Sequence, residues 1–137
     1  RSLRITASQA SGIVGGGATL LFGTPDAESG KHKLRAAAGF RSAEEARKLA
    51  QQLEALVAEA LARGLPCSGP LSGPLASRAG GEGILAIPLV ARGRTHGVLA
   101  VAPTTPLGVD AREALETLAW GASRQLDHLE LAVELDT

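Results

Sequence analysis

The sequence predicts an α+β domain, an antiparallel β-sheet with helices laid on its faces. Three observations carry that prediction. The stretches 42–63 and 110–133 repeat apolar residues at helical spacing. The segments 18–38 and 84–102 each read as two apolar strands joined by turn-forming residues. Strands that follow one another through short turns favour antiparallel pairing, and helices set apart from them cover the faces of the resulting sheet.

The elements follow in order. Leu3, Ala7, Ala10 and Val14 recur at helical spacing, which predicts a short helix over 2–12. Gly15, Gly16 and Gly17 break it, because glycine loses the most backbone freedom on ordering. Ala18 to Thr24 reads as a buried strand centred on Leu20, Leu21 and Phe22. Pro25-Asp26 through Ser29-Gly30 is turn chemistry, and His32 to Ala38 is the returning strand. There Lys33 and Arg35 alternate with Leu34 and Ala36, so one face is wet and the other covered. Ser42 to Arg63 is the clearest helix, with Ser42 and Glu45 spaced as a capping box and Gly64 as a left-handed stop. Pro66, Pro70 and Pro74 punctuate 65–83, which reads as a long loop with one helical turn near Ala76.

Ile84 to Ala91 and His96 to Ala102 are two apolar strands around the basic turn Arg92-Gly93-Arg94. Pro88 is an obstacle, since proline removes a ladder hydrogen bond. From the residues alone it argues against a strand at that point. Pro103 and Pro106 end the second strand. Asp110 is spaced to cap the last helix, with Glu113 completing a second box, and its stripe runs Leu115, Leu118, Ala119, Ala122, Leu126, Leu129, Val133.

A chain of 137 residues suits one domain spanning 1–137. Phe22, Phe40 and Trp120 are its only aromatic residues, so aliphatic side chains fill the core. The formal net charge is zero, which argues against nucleic acid as a partner. No apolar run has the length of a membrane span, and the N-terminus lacks the pattern of a signal peptide. The lone Cys67 excludes an internal disulfide and fits a reducing, cytoplasmic location. The absence of methionine, even at position 1, is expected of a piece of a longer protein, and the Ala, Gly, Arg and Leu content suggests a bacterial one.

Several segments, in this order, resemble the GAF family of sensor domains: Gly17-Ala18-Thr19-Leu20-Leu21, Leu34 to Phe40 before the long helix, Ile87-Pro88-Leu89, Gly97-Val98-Leu99, and a last helix starting near Asp110. The resemblance implies a six-stranded or similar antiparallel sheet, one that tolerates Pro88 at a bulge or a locally unpaired edge. It also implies a small-molecule pocket under loops on one face, and terminal helices, often dimeric, on the other. A roadblock-like or PAS-like arrangement is the alternative. The special ligand chemistries of the family do not carry over. Cys67 is followed by Ser68 rather than the histidine of bilin-binding relatives. The Asn-Lys-Phe pattern of the cyclic-nucleotide branch is absent, and methionine-sulfoxide-reducing relatives use more than one cysteine. The sequence names no cofactor and no metal.

The expected role is therefore a non-catalytic sensory or regulatory domain of a bacterial signalling protein. A ligand-free interaction scaffold is the second reading, and a methionine-sulfoxide-reducing enzyme ranks last. Ser68, Ser72, Ser77 and Arg78 lie in the 65–83 loop and are the candidate ligand-binding residues, Arg78 because guanidinium forks onto carboxylate or phosphate. None of the serines has a base placed by a recognisable motif. Arg92 and Arg94 read as a solvated turn, Cys67 as a packing residue, and His32, His96 and His128 as surface histidines. Trp120 lies off the main stripe, either against the first helix or on a dimer face. The last stripe covers about five turns, longer than the sheet of so small a domain can cover. Leu126, Leu129 and Val133 should then find a second copy or the first helix, since burying a leucine is worth roughly 1.5–3 kcal/mol. The expected partners are a small ligand and a second copy or other domains of the same protein.

Overall fold

Leu20, Leu21 and Phe22 are consecutive and all buried, so the strand that carries them is covered on both faces. The computed structural model describes residues 2–15, 17–25, 32–69, 83–103 and 108–136, with side chains for 4–15, 17–23, 33–69, 83–103 and 108–128. Along the chain come α1 (Ser2–Ile13), β1 (Thr19–Pro25), β2 (His32–Ala38), α2 (Ala43–Gln52), α3 (Glu54–Arg63), β3 (Cys67–Gly69), β4 (Ile84–Ala91), β5 (Arg94–Val101) and α4 (Val109–Asp136). The described strands form one sheet in the order β2-β1-β5-β4-β3, and every neighbouring pair is antiparallel.

The side-chain period of two splits the sheet between two cores. Leu20, Phe22, Ile84, Ala86, Val98 and Ala100 face α2 and α3, where Ala46, Leu49, Leu53, Val57 and Ala60 meet them. Leu21, Ile87, Leu89, Leu99 and Val101 face α1 and α4, where Ala10, Val14, Leu115, Ala119, Ala122 and Leu126 close the other core. Central β5 is buried continuously from His96 to Val101, which explains why it reads as an unbroken apolar run rather than an alternating one.

Local signals held at most boundaries. Ser42 accepts from the Glu45 N–H at 3.2 Å, and the Glu45 carboxylate accepts from the Arg41 N–H at 3.3 Å. Gly64 ends α3 in the left-handed region and donates to the Ala60 carbonyl at 2.9 Å. The hairpin pairs Leu85 with Val101 through to Ala91 with Arg94.

Three details differ from expectation, while Pro88 meets it. The helix over 42–63 is interrupted at Leu53 (φ −93°, ψ 0°), whose N–H is shared between the Leu49 and Ala50 carbonyls at 3.1 and 3.3 Å. No glycine or proline marks that point. Cys67 to Gly69, expected in a loop, form β3 on the edge of the sheet against Ile84 to Ala86. Pro88 lies past the end of that ladder, on a stretch of β4 that β3 does not reach, so its missing N–H removes no β3–β4 bond. The last helix begins two residues early: the Gly108 carbonyl accepts from the Arg112 N–H, so Gly108 takes the cap position and Asp110 lies inside the first turn. A carboxylate there still favours the helix through its dipole. The turn at 26–31 and the expected helical turn near Ala76 lie outside the described residues.

Candidate functional site

The β4–β5 turn consists of two residues, Arg92 and Gly93, between the paired Ala91 and Arg94. Both have positive φ, 52° and 73°, the signature of a type I′ hairpin turn. That conformation suits Gly93 but costs an L-residue such as Arg92 roughly 1–2 kcal/mol. Arg92 has compensation at its far end. Its Nε lies 2.7 Å from Asp127 Oδ2, and its Nη2 donates to Asp127 Oδ1 at 2.9 Å. A forked guanidinium–carboxylate pair of this kind fixes orientation as well as distance. It ties the tip of the hairpin to α4.

A third residue joins the pair through an irregularity in β5. Val90 pairs with Thr95 but Leu89 pairs with Gly97, so His96 is the extra residue of a β-bulge. By strict alternation His96 would share the face of Val98, toward α2 and α3. Instead its ring meets Asp127 on α4, with Nε2 3.2 Å from Oδ1, and its side chain is 1% exposed. The same Nε2 lies 3.2 Å from the Ala91 carbonyl. Both neighbours are acceptors, so the proton belongs on Nε2. Gly97, next in line, has no room for a side chain: a Cβ there would stand 2.1 Å from the Phe22 carbonyl oxygen. β5 is held against β1 at the residue after the bulge.

Asp127 is the centre of this cluster. The hydrogen bond from Arg92 holds its carboxyl below the usual carboxylate range; burial opposes that, and the charges of Arg92, His96 and Arg94 add to it. The nearby buried Ser123 donates its hydroxyl to the Ala119 carbonyl one helical turn back, at 2.6 Å. The arrangement ties the β4–β5 hairpin to α4 through paired polar groups. Among the described residues, no group of three or more His, Cys, Asp or Glu side chains is placed to hold a metal ion.

Beside the cluster, on the outer side of α4, lies an open groove of about 740 Å³ lined in part by Arg92, Trp120, Arg124, Gln125, Asp127 and His128. Trp120 is 61% exposed. The Arg124 guanidinium stands 4.8 Å from the centre of its ring, a cation–π contact.

The structure gathers few of the residues singled out from sequence. Ser68 is exposed on β3, apart from the groove, while Ser72, Ser77 and Arg78 lie outside the described residues. Cys67 is half-buried on β3, its thiol directed at the Leu65 carbonyl and its side chain against the α2–α3 core. Leu126 is 5% exposed and packs inside the α1–α4 core, so this leucine is covered within one protomer. The side chains of Leu129 and Val133 lie outside those described. Trp120 is exposed rather than packed on α1.

His96 corrects the surface reading of the histidines: it is buried, because the bulge turns it toward Asp127. His128 is exposed, and the side chain of His32 is not described. Arg92 and Arg94 are both exposed at the turn, as expected, but the Arg92 guanidinium is also bound to Asp127 of α4. Asp127 carries no motif and stands 35 residues from Arg92, so spacing does not reveal it. Its helical position does offer a signal. Asp127 falls one turn after the buried Ser123 and beside Leu126, and a carboxylate on an inward face requires a cation.

Comparison with known proteins gives a consistent picture of the fold. A family model described as GAF domain matches residues 26–128. No curated protein matches the chain. Among solved structures, the GAF domain from Acinetobacter phosphoenolpyruvate-protein phosphotransferase is similar with a TM-score of 0.68 and 17% identity, over 97% of this chain and 84% of that one. Residues 122 to 287 of a methyl-accepting chemotaxis protein give a TM-score of 0.66 at 18% identity, over 95% and 89%. The type II free methionine-R-sulfoxide reductase from Thermoplasma acidophilum gives 0.65 at 11% identity, over 93% and 91%.

Proposed function

Because this chain belongs to the GAF domain family, we propose that it is a non-catalytic sensory and regulatory module of a signalling protein, with α4 as the element that passes a change outward. The observation that carries the reading is the bridge from Arg92 and His96 of the hairpin to Asp127 of α4. It couples the tip of the β4–β5 hairpin to a helix of 28 residues by oriented polar contacts as well as by packing. Any event that shifts β4 or β5 therefore reaches α4 directly. The similarity to a segment of a chemotaxis protein is in keeping with that role.

The sensory half of the proposal is a small ligand held near β3 and the connection that follows it, with Ser68, Ser72, Ser77 and Arg78 as its contacts. Such a ligand signals only if it binds two states of the domain with different affinity. The dimeric half places a second copy along the far end of α4, at Leu129 and Val133, since Leu126 is taken up by the core. The non-catalytic reading is supported by the single cysteine, which sits against the core, and by the commitment of the Arg92, His96 and Asp127 polar groups to one another. Native mass spectrometry of the purified domain tests ligand and assembly together. The expected spectrum is a dimer carrying a small mass that is lost on denaturation. A bare protomer in every preparation would refute both halves.

A ligand-free scaffold is the second reading. It is favoured by the filling of both described faces of the sheet with apolar side chains.

A further inference from the structure

We propose that the groove between the hairpin tip and α4 is a docking site for an acidic protein segment that also carries apolar side chains. The proposal concerns a surface remote from β3 and does not depend on the ligand suggested above.

The first ground is Trp120. Among the described residues of α4, Leu115 and Leu126 are buried, whereas Trp120 stands 61% exposed. Burying a large apolar surface is the main gain available to it, and tryptophan and arginine are the residue types most often found at the energetic centre of interfaces. Its neighbour Gly121 adds no side chain, and a Cβ there would meet nothing within 4 Å, so the surface beside the ring is unobstructed.

The second ground is charge. The groove is lined by the guanidinium groups of Arg92 and Arg124 against the single carboxylate of Asp127. That carboxylate is already held in a fork by Arg92 and contacted by His96. Among the described residues, no carboxylate pairs with Arg124, whose guanidinium rests on the Trp120 ring. Arg94, exposed at the turn, adds a further positive charge close enough to act on Asp127. The whole chain has zero formal net charge, so this local excess is not the general character of its surface. An incoming carboxylate would find Arg124 held in place by the ring beneath it, which lowers the entropic cost of pairing.

The third ground is shape. The groove is an open trough rather than an enclosed cavity, which suits a segment laid across it more than a small molecule engulfed by it.

Trp120 is the only tryptophan of the chain, so its fluorescence reports on this surface alone. The test titrates the domain with a soluble amphipathic peptide of Glu and Leu and, separately, with its Lys-and-Leu counterpart. The expected result is a saturable blue shift with the acidic peptide and affinity weaker by about tenfold for the basic one. Arg124→Glu, an exposed substitution, should abolish that preference while the far-ultraviolet spectrum stays unchanged. Arg124→Gln, which keeps the size but removes the charge, should weaken the acidic peptide without favouring the basic one.

Equal response to both peptides, or none, overturns the proposal. So does a blue shift that grows with protein concentration alone, which would place a second copy in the groove. A shift with phosphatidylglycerol vesicles but not with the acidic peptide would assign the surface to an anionic membrane instead. Loss of bound ligand or dimer in native mass spectrometry leaves these outcomes untouched, so the two proposals fail separately.

Discussion

At the scale of single residues, two glycines of this chain answer to opposite physics. Gly97 lies where β5 presses on β1, and a Cβ would collide with the Phe22 carbonyl. Gly97→Ala should therefore destabilise the domain by about 1–3 kcal/mol, the usual cost of overpacking, read as a lower urea midpoint. Gly121 sits within α4 with open space around the position of a Cβ. Gly121→Ala should stabilise by about 0.5–1 kcal/mol, since alanine loses less backbone freedom in a helix. Asp127 sets a pH dependence. Its carboxyl titrates below the ordinary value of 3.8 in the folded chain, chiefly because of the Arg92 hydrogen bond. The resulting stability is present in full above 3.8 and is lost as pH falls through the lowered value. Urea midpoints of the unmodified protein should drop more steeply below that point than those of Asp127→Asn, and the two curves should approach one another in acid. Parallel curves would mean that the Arg92–Asp127 pair makes no difference between folded and unfolded chains.

At the scale of elements, helix starts and stops behave as independent units. Ser42 caps α2 through the Glu45 N–H, and Ser42→Ala should cost about 1 kcal/mol, with little change in the denaturant slope. Helix α4 behaves differently along its length. Leu126 is enclosed by the α1–α4 core. Leu126→Ala should cost about 2–5 kcal/mol, and Leu126→Glu should unfold the chain rather than merely separate its copies. Circular dichroism distinguishes these outcomes: a folded monomer carrying Leu126→Glu would place that side chain at an interface after all. Counting turns over a small sheet calls for the first helix or a second copy to cover this leucine. For Leu126 it is the first helix, since α1 lies beside α4 and closes the core around it.

At the scale of the whole molecule, the sheet is covered on both faces, and polar contacts join its hairpin to the long last helix. Cys67 packs at the edge of one core. Cys67→Ala should leave the fold intact and bring a small loss of stability, measured as a modest fall in the thermal midpoint. A covalent adduct at Cys67 in intact-mass spectra would give that thiol a role that packing does not.

The sequence by itself determined the α+β class, the order of most elements, the hairpin around Arg92-Gly93, and the helix boundaries at Ser42 and Gly64. These follow from short-range physics: apolar period, caps, and residues that accept a left-handed turn. Only the tertiary structure decided that Cys67 to Gly69 join the sheet, that Leu53 interrupts a helix with no local breaker, and that Leu126 is covered by α1. It alone brought His96, Arg92 and Asp127 together and left Trp120 in the open. A carboxylate 35 residues away leaves no mark on the local pattern around Arg92, and a one-residue bulge reverses a side chain without altering the composition of its strand. Contacts of that kind depend on where the chain returns in space, which no window of sequence contains.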